Sequence, residues 1–254
     1  MSKTWLLSLA LLTSCHVYAN KQTNRSKDIN APSPWQSQIE FGYQAHSGNT
    51  DSEALNTRVK GEYIRGRHRT NGEWRFYKLD KNGKENKRQS SYSLQSDYKL
   101  GPKSYLYGSF RGSDSRYSAY FSDYTWSGGL GYQFTHTNGL LIELEIGPGY
   151  RYQEPNLDKI SSGDVVFPHL VKEPIYRGNL KVEWQALSNF KLLADLTLVG
   201  GESNTRFDSD ISIINNITDD IALKVSQSRQ HHNRVPTGLS KNDSVLSVSL
   251  IFLF

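Results

Sequence analysis

Cysteine is nearly absent from this sequence. Cys15 is the only one in 254 residues, so no disulfide can form within the chain. Long apolar runs are also missing: past the N-terminus no stretch reaches about 18 apolar residues, which excludes a membrane-spanning helix. That exclusion does not reach β-barrels, whose strands carry their apolarity on alternate residues. Blocks of one charge are missing too. The formal net charge is +5, but acids and bases are interleaved. A nucleic-acid surface needs Lys and Arg clustered on one element, so no nucleic-acid partner is expected. There is no G-x-S-x-G nucleophile elbow, and nothing calls for a cofactor.

What the chain has instead is aromatic side chains, with 15 Tyr, 10 Phe and 5 Trp, set in alternating segments. The last segment shows the pattern best. Leu246, Val248, Leu250, Phe252 and Phe254 fall on one face, with Ser247 and Ser249 on the other. That is a strand with lipid on one side and a wetter space on the other. An outer-membrane barrel closes by pairing such a strand with its first, which leaves no free edge. Phe252 and Phe254 are therefore expected to form the signal presented to the barrel assembly machinery.

The N-terminus reads as an export signal over residues 1–19, with Lys3, an apolar run from Trp5 to Leu12, and small residues before a cut after Ala19. Leu12-Thr13-Ser14-Cys15 offers a rival lipoprotein site at Cys15. Residues 20–34 are polar and contain proline, and read as a flexible periplasmic lead-in. Residues 35–254 are assigned to the barrel.

Eleven alternating segments precede the last one, beginning at Trp35, Ile39, Phe41 and Tyr43. Twelve is an even number, as bacterial barrels require, and puts both termini on the periplasmic side. The expected fold is an all-β, 12-stranded antiparallel transmembrane β-barrel in the bacterial outer membrane. In the fifth segment either Leu106 and Phe110 or Tyr105 and Tyr107 face lipid. Arg65 to Thr70 reads as a turn. Long connections are expected at 113–122, 154–173 and 229–242, and short ones at 135–139 and 187–189. The aromatics sort into two interfacial girdles: Trp35, Tyr98, Trp184, Phe190 and Phe254 at one end, and Tyr43, Trp126, Tyr150, Tyr152 and Tyr176 at the other.

Ser47-Gly48-Asn49-Thr50-Asp51, Ser93-Leu94-Gln95-Ser96-Asp97-Tyr98-Lys99-Leu100 and Gly147-Pro148-Gly149-Tyr150-Arg151-Tyr152 give the chain a resemblance to a known family. It resembles the salt-induced outer-membrane proteins of the YdiY type, whose domain has no assigned function, over roughly residues 36–254. The resemblance implies an outer-membrane barrel linked to salt or acid stress. It implies no substrate and no catalytic residue.

The wet faces carry both signs. Arg58, Lys60, Arg75, Glu143, Glu145, Arg177, Lys181, Glu183 and Asp195 point into the lumen by parity. Buried charges must be paired or hydrated. Two readings stay open: a narrow channel for small solutes whose selectivity these residues set, and a structural barrel plugged by a ladder of ion pairs. Twelve strands tilted near 40° give a backbone diameter of roughly 24 Å, which fits either. A distant alternative is an outer-membrane hydrolase using His46 and Ser47, but His46 shares the lumen parity. His231 and His232 read as a solvated loop, since adjacent extended side chains point apart and do not share a metal. Gly128, Gly129 and Gly147 read as strand bends. Partners are outer-membrane lipid, the assembly machinery and small solutes.

Overall fold

A computed structural model describes residues 33–46, 52–116, 118, 120–160, 163, 169–236 and 240–253. Among them are twelve strands: β1 (Trp35–His46), β2 (Ser52–Arg65), β3 (His68–Lys81), β4 (Lys84–Lys99), β5 (Ser104–Ser115), β6 (Tyr120–His136), β7 (Leu140–Pro155), β8 (Val171–Leu187), β9 (Phe190–Gly200), β10 (Thr205–Asn216), β11 (Ile221–His232) and β12 (Asn242–Leu253). One 3-10 turn, Leu157–Lys159, follows β7. Each strand pairs antiparallel with its neighbours, and β12 pairs with β1 to close the barrel, Phe252 standing opposite Ile39. The expected 12-stranded barrel is the fold the chain adopts.

The side chains explain the closure. Outward positions are apolar and exposed, as with Leu94, Leu130, Ile146, Leu198 and Val248. Inward positions are mostly polar and buried, among them Glu143, Arg151, Gln153, Arg177 and Thr197. This inverts the distribution of a water-soluble protein, where a large buried charge is rare. It suits a wall whose outer surface is solvated by lipid and whose interior satisfies its own polar groups.

Aromatic rings gather at both rims. At the rim holding the start of β1 and the end of β12, Trp35 packs on Tyr63 at 4.6 Å and His68 on Tyr98 at 4.9 Å between ring centres. Toward the opposite rim, Phe110 lies 5.3 Å from Trp126, and Tyr124 stacks on Tyr152 at 6.0 Å. Amphipathic rings favour the headgroup level, so the two belts mark the two interfaces. Phe254 lies outside the described residues.

The hairpin between β3 and β4 is tight because Asn82 and Gly83 both take positive φ, 50° and 71°, the backbone of a two-residue turn matched to strand twist. Three details differ from the sequence reading, and the open choice in β5 is decided. The β2–β3 turn is confined to residues 66–67, with Gly66 at φ +60°, so Arg69 and Thr70 belong to β3. The expected loop at 113–122 shrinks, because β5 runs to Ser115 and β6 starts at Tyr120. In β5, Leu106 faces out while Tyr105 and Tyr107 are buried inside. His231 and His232 end β11 and are not in a loop; His231 Nδ1 lies 2.9 Å from Asn242 Oδ1.

Candidate functional site

The lumen is bridged by charge pairs at three depths. The middle tier starts on β11, where Lys224 Nζ donates to both oxygens of Glu40 on β1, each at 3.1 Å. Arg58 on β2 donates to Glu40 Oε1 at 2.8 Å and to Glu73 Oε2 on β3 at 2.5 Å. Arg75, two residues along β3, pairs with Glu73 and reaches over the lumen to Asp210 Oδ2 on β10 at 2.7 Å. The chain Lys224–Glu40–Arg58–Glu73–Arg75–Asp210 runs from β11 through β1 to β3 and returns across the lumen to β10, the neighbour of β11. Its signs alternate and cancel. Each carboxylate is held by a base, which is how charges in a low-dielectric space avoid an uncompensated desolvation cost.

A second tier lies toward the rim that holds the termini. Arg69 at the start of β3 grips Asp97 Oδ2 on β4 at 2.7 Å, then spans the lumen to Glu143 on β7 at 3.1 and 3.3 Å. Gln133 also donates to Glu143. One step along β7, Glu145 accepts from Gln95 at 2.7 Å, Tyr105 Oη at 3.0 Å and Arg177 Nη1 at 2.8 Å.

The third tier is near the opposite rim. Arg206 on β10 crosses to Asp123 on β6 at 2.5 Å and also binds Asp208 at 2.9 Å. Beside it the short β9–β10 connection folds inward. Arg151 Nη1 donates to the backbone and side-chain oxygens of Asn204, both at 3.0 Å, and to Glu173 at 3.2 Å. Ser203 donates its N–H to Glu173 Oε2 at 2.8 Å. Ser203 and Asn204 are buried in consequence.

The tiers do not dry the lumen evenly. Around Arg177 and Arg151 the inward side chains of β5–β8 are packed: the Arg177 side chain is 1% exposed and Arg151 0%. Around the crossing from β3 to β10 the side chains are more accessible. Arg75 is 38% exposed and its partner Asp210 23%. Nearer the rim that holds the termini, Lys181 of β8, which pairs with Glu183 at 2.8 Å, and Lys191 of β9, which pairs with the same carboxylate at 3.1 Å, are also partly exposed. A strip of wet, charged wall therefore passes beside the Arg75–Asp210 crossing.

The inward residues expected from parity thus fall into different settings. Arg58 and Arg75 are in the middle tier, Glu143 and Glu145 in the second, and Arg177 bonds Glu145. Lys181 and Glu183 pair with each other. Asp195 accepts from Asn179 at 2.7 Å. Lys60 faces the lumen half-buried, with no ion-pair partner among the described residues. Arg69, Asp123 and Glu173 were not singled out by the sequence. Arg69 was hidden in a polar run read as a turn, Glu173 at the end of a stretch read as a loop, and Asp123 between an expected loop and the first outward aromatic of its strand. Among the described residues no three metal-ligating side chains gather. His46 lies at the far end of β1; Ser47 is outside the described residues.

Comparison with known proteins gives a consistent answer. A family model described as "Protein of unknown function, DUF481" matches residues 39–254. The uncharacterized protein YdiY of Escherichia coli (strain K12) is 25% identical over 210 residues, covering 81% of this chain and 77% of that protein. An outer membrane channel from Pseudomonas putida F1 superposes with a TM-score of 0.51 at 9% identity, covering 92% of this chain and 100% of that one. The NanC porin gives a TM-score of 0.48 at 13% identity, covering 85% and 97%. The likeness to the channel is one of fold, a closed antiparallel barrel.

Proposed function

The chain belongs to the DUF481 family of YdiY-type proteins, and from that premise we propose that its barrel is a narrow channel for small ions and solutes, constricted by the charge pairs that span its lumen. The observation that carries this reading is the wet strip beside Arg75 and Asp210. A barrel that served only as a rod in the membrane gains nothing from a hydrated, charged side to its lumen. A selectivity site gains a great deal, because paired side chains at a constriction set both its width and its local field. The alternating signs of the middle tier argue for weak ion preference. Size would be the main filter.

A second reading has its own support. Arg151 and Arg177 are fully buried, and three tiers of cross-lumen bonds stiffen the wall. On this reading the barrel is a closed structural element of the envelope. Liposome swelling separates the two. Proteoliposomes should admit small solutes such as glycine or arabinose and exclude disaccharides. Absence of swelling in every solute supports the closed barrel.

The cellular role belongs to the same proposal. The resemblance to salt-induced proteins suggests a contribution to envelope function under osmotic or acid stress, and a deletion strain should then lose growth first at high salt. Delivery to the membrane is proposed to use cleavage after Ala19 and the assembly machinery. N-terminal sequencing that begins at Asn20 supports that route, and an acylated Cys15 refutes it.

A further inference from the structure

The outer face of β4–β7 carries a trough that plays no part in the lumen. Ser96 stands opposite Gly108 and Gly108 opposite Gly128, and the pairs flanking Gly128 bring Pro148 beside it. By alternation these residues face away from the lumen, and none has a side chain long enough to cover the backbone beneath it. One step toward the rim opposite the termini, Phe110, Trp126 and Tyr150 stand side by side and form a wall. The rings of Phe110 and Trp126 lie 5.3 Å apart between centres. The trough below this wall holds about 550 Å³ and is lined almost wholly by apolar atoms.

A charged cleft lies above the trough on the same strands. Ser90 stands opposite Asp114, six residues along β4 and β5 from the Ser96–Gly108 pair. That is roughly 20 Å of strand, or about 15 Å of depth at a tilt of about 40°, half the hydrocarbon core of a bilayer. One step beyond the Gln89–Ser115 pair, Arg88 and Arg116 come level, both exposed. With Ser90, Asp114 and Ser122 they line a cleft of about 230 Å³. Neither arginine has a carboxylate within ion-pair distance among the described residues. Asp114 faces the same cleft and weakens its field, but it already accepts from Tyr124 Oη at 2.6 Å and Ser122 Oγ at 2.9 Å. Lys78, opposite Arg88, is held by Asp80 at 2.6 Å. Like charges level on adjacent strands repel. An anion between them replaces that repulsion with charge-assisted bonds to both guanidinium groups.

We infer that this face binds a phosphorylated lipid of the outer leaflet, its phosphate between Arg88 and Arg116 and one acyl chain running past Phe110 into the trough. For a barrel in the outer membrane, the rim opposite the termini meets that leaflet. The charge of the cleft selects the head and the apolar trough takes the tail, and the depth between them is that of one leaflet. The site lies outside the wall, so it does not depend on whether the lumen conducts.

Dioleoyl phosphatidylglycerol is the probe, compared with diolein at the same mole fraction in detergent micelles that hold the full barrel. The midpoint of heat-induced loss of the compact gel form should be higher by at least about 2 °C in the phospholipid, because a ligand that binds the folded state stabilises it. The difference should vanish in Arg88→Gln/Arg116→Gln, two exposed positions that the barrel does not need in order to close. It should shrink in Gly108→Leu, where a Cβ meets nothing within 4 Å and the longer side chain fills the trough from outside. Equal midpoints in the two lipids for the parent protein overturn the inference, as does an undiminished difference in either variant. An equal rise with glycerol phosphate alone makes the cleft a site for free phosphate and overturns it too. So does a compact dimer that Gly108→Leu abolishes, which gives the trough to a second copy of the chain.

Discussion

At the scale of single residues, the lumen is held by pairs whose members come from distant strands. Arg69 is the clearest case. Replacing it with Met leaves Asp97 and Glu143, both nearly fully buried, without their base. Breaking such a pair should cost about 3–5 kcal/mol, because a buried carboxylate is left uncompensated. The heat needed to convert the compact gel form should fall clearly. Lys78→Met at the far end of β3 removes a pair with Asp80 that is open to water, and should leave that midpoint unchanged. Equal midpoints for the two variants would show that the second tier is hydrated and weak. The sequence told which of these residues point inward, since alternation fixes the face. It did not tell which acid meets which base. Arg75 and Asp210 are 135 positions apart, and Arg69 and Glu143 are 74 apart, so their meeting depends on the stagger of the whole barrel. Arg69 itself escaped because Arg65-Gly66-Arg67-His68-Arg69-Thr70 is uniformly polar. A two-residue turn followed by a strand with a wet first inward position looks locally like a longer turn.

At the scale of strands, β6 and β7 meet backbone to backbone at their glycines. Ser127 stands opposite Gly149 and Leu130 opposite Ile146, which brings Gly128 and Gly129 against Gly147 and Pro148. A Cβ on Gly147 would lie 2.2 Å from Gly128 O, a backbone atom that cannot turn aside. Gly147→Val should therefore prevent the β6–β7 pairing and leave the protein unassembled and protease-sensitive. Gly139→Ala, in the β6–β7 turn where a Cβ would meet nothing within 4 Å, should assemble normally. Recovery of compact Gly147→Val in the outer membrane would contradict the close approach. The sequence reading took these glycines for bends. Close approach between two strands is not visible in either strand alone, whereas the alternation that defines each strand is. That is why the number and order of strands were legible and the packing between them was not.

At the scale of the whole molecule, the wall is apolar outside, charged inside and ringed by aromatics at two levels, and the chain closes by pairing β12 with β1. A closed barrel resists detergent, so the protein should migrate faster on a gel before boiling than after it. The closing strand makes a further demand. On the proposed route through the assembly machinery, deleting Phe254 should impair assembly, while removing residues 20–34 should not. Equal yields of both variants in the outer membrane would speak against that role for the C-terminus. The central claim, however, is that the charge pairs spanning the lumen set the width of a conducting path. The direct measurement is single-channel conductance in a planar bilayer for the parent protein and for Arg75→Ala/Asp210→Ala. That variant removes one charge of each sign and the wettest crossing, and leaves Glu73 paired with Arg58. A small conductance in the parent that rises severalfold in the variant, with little change in ion preference, is the expected result. No conductance in either would contradict the channel and leave a closed barrel.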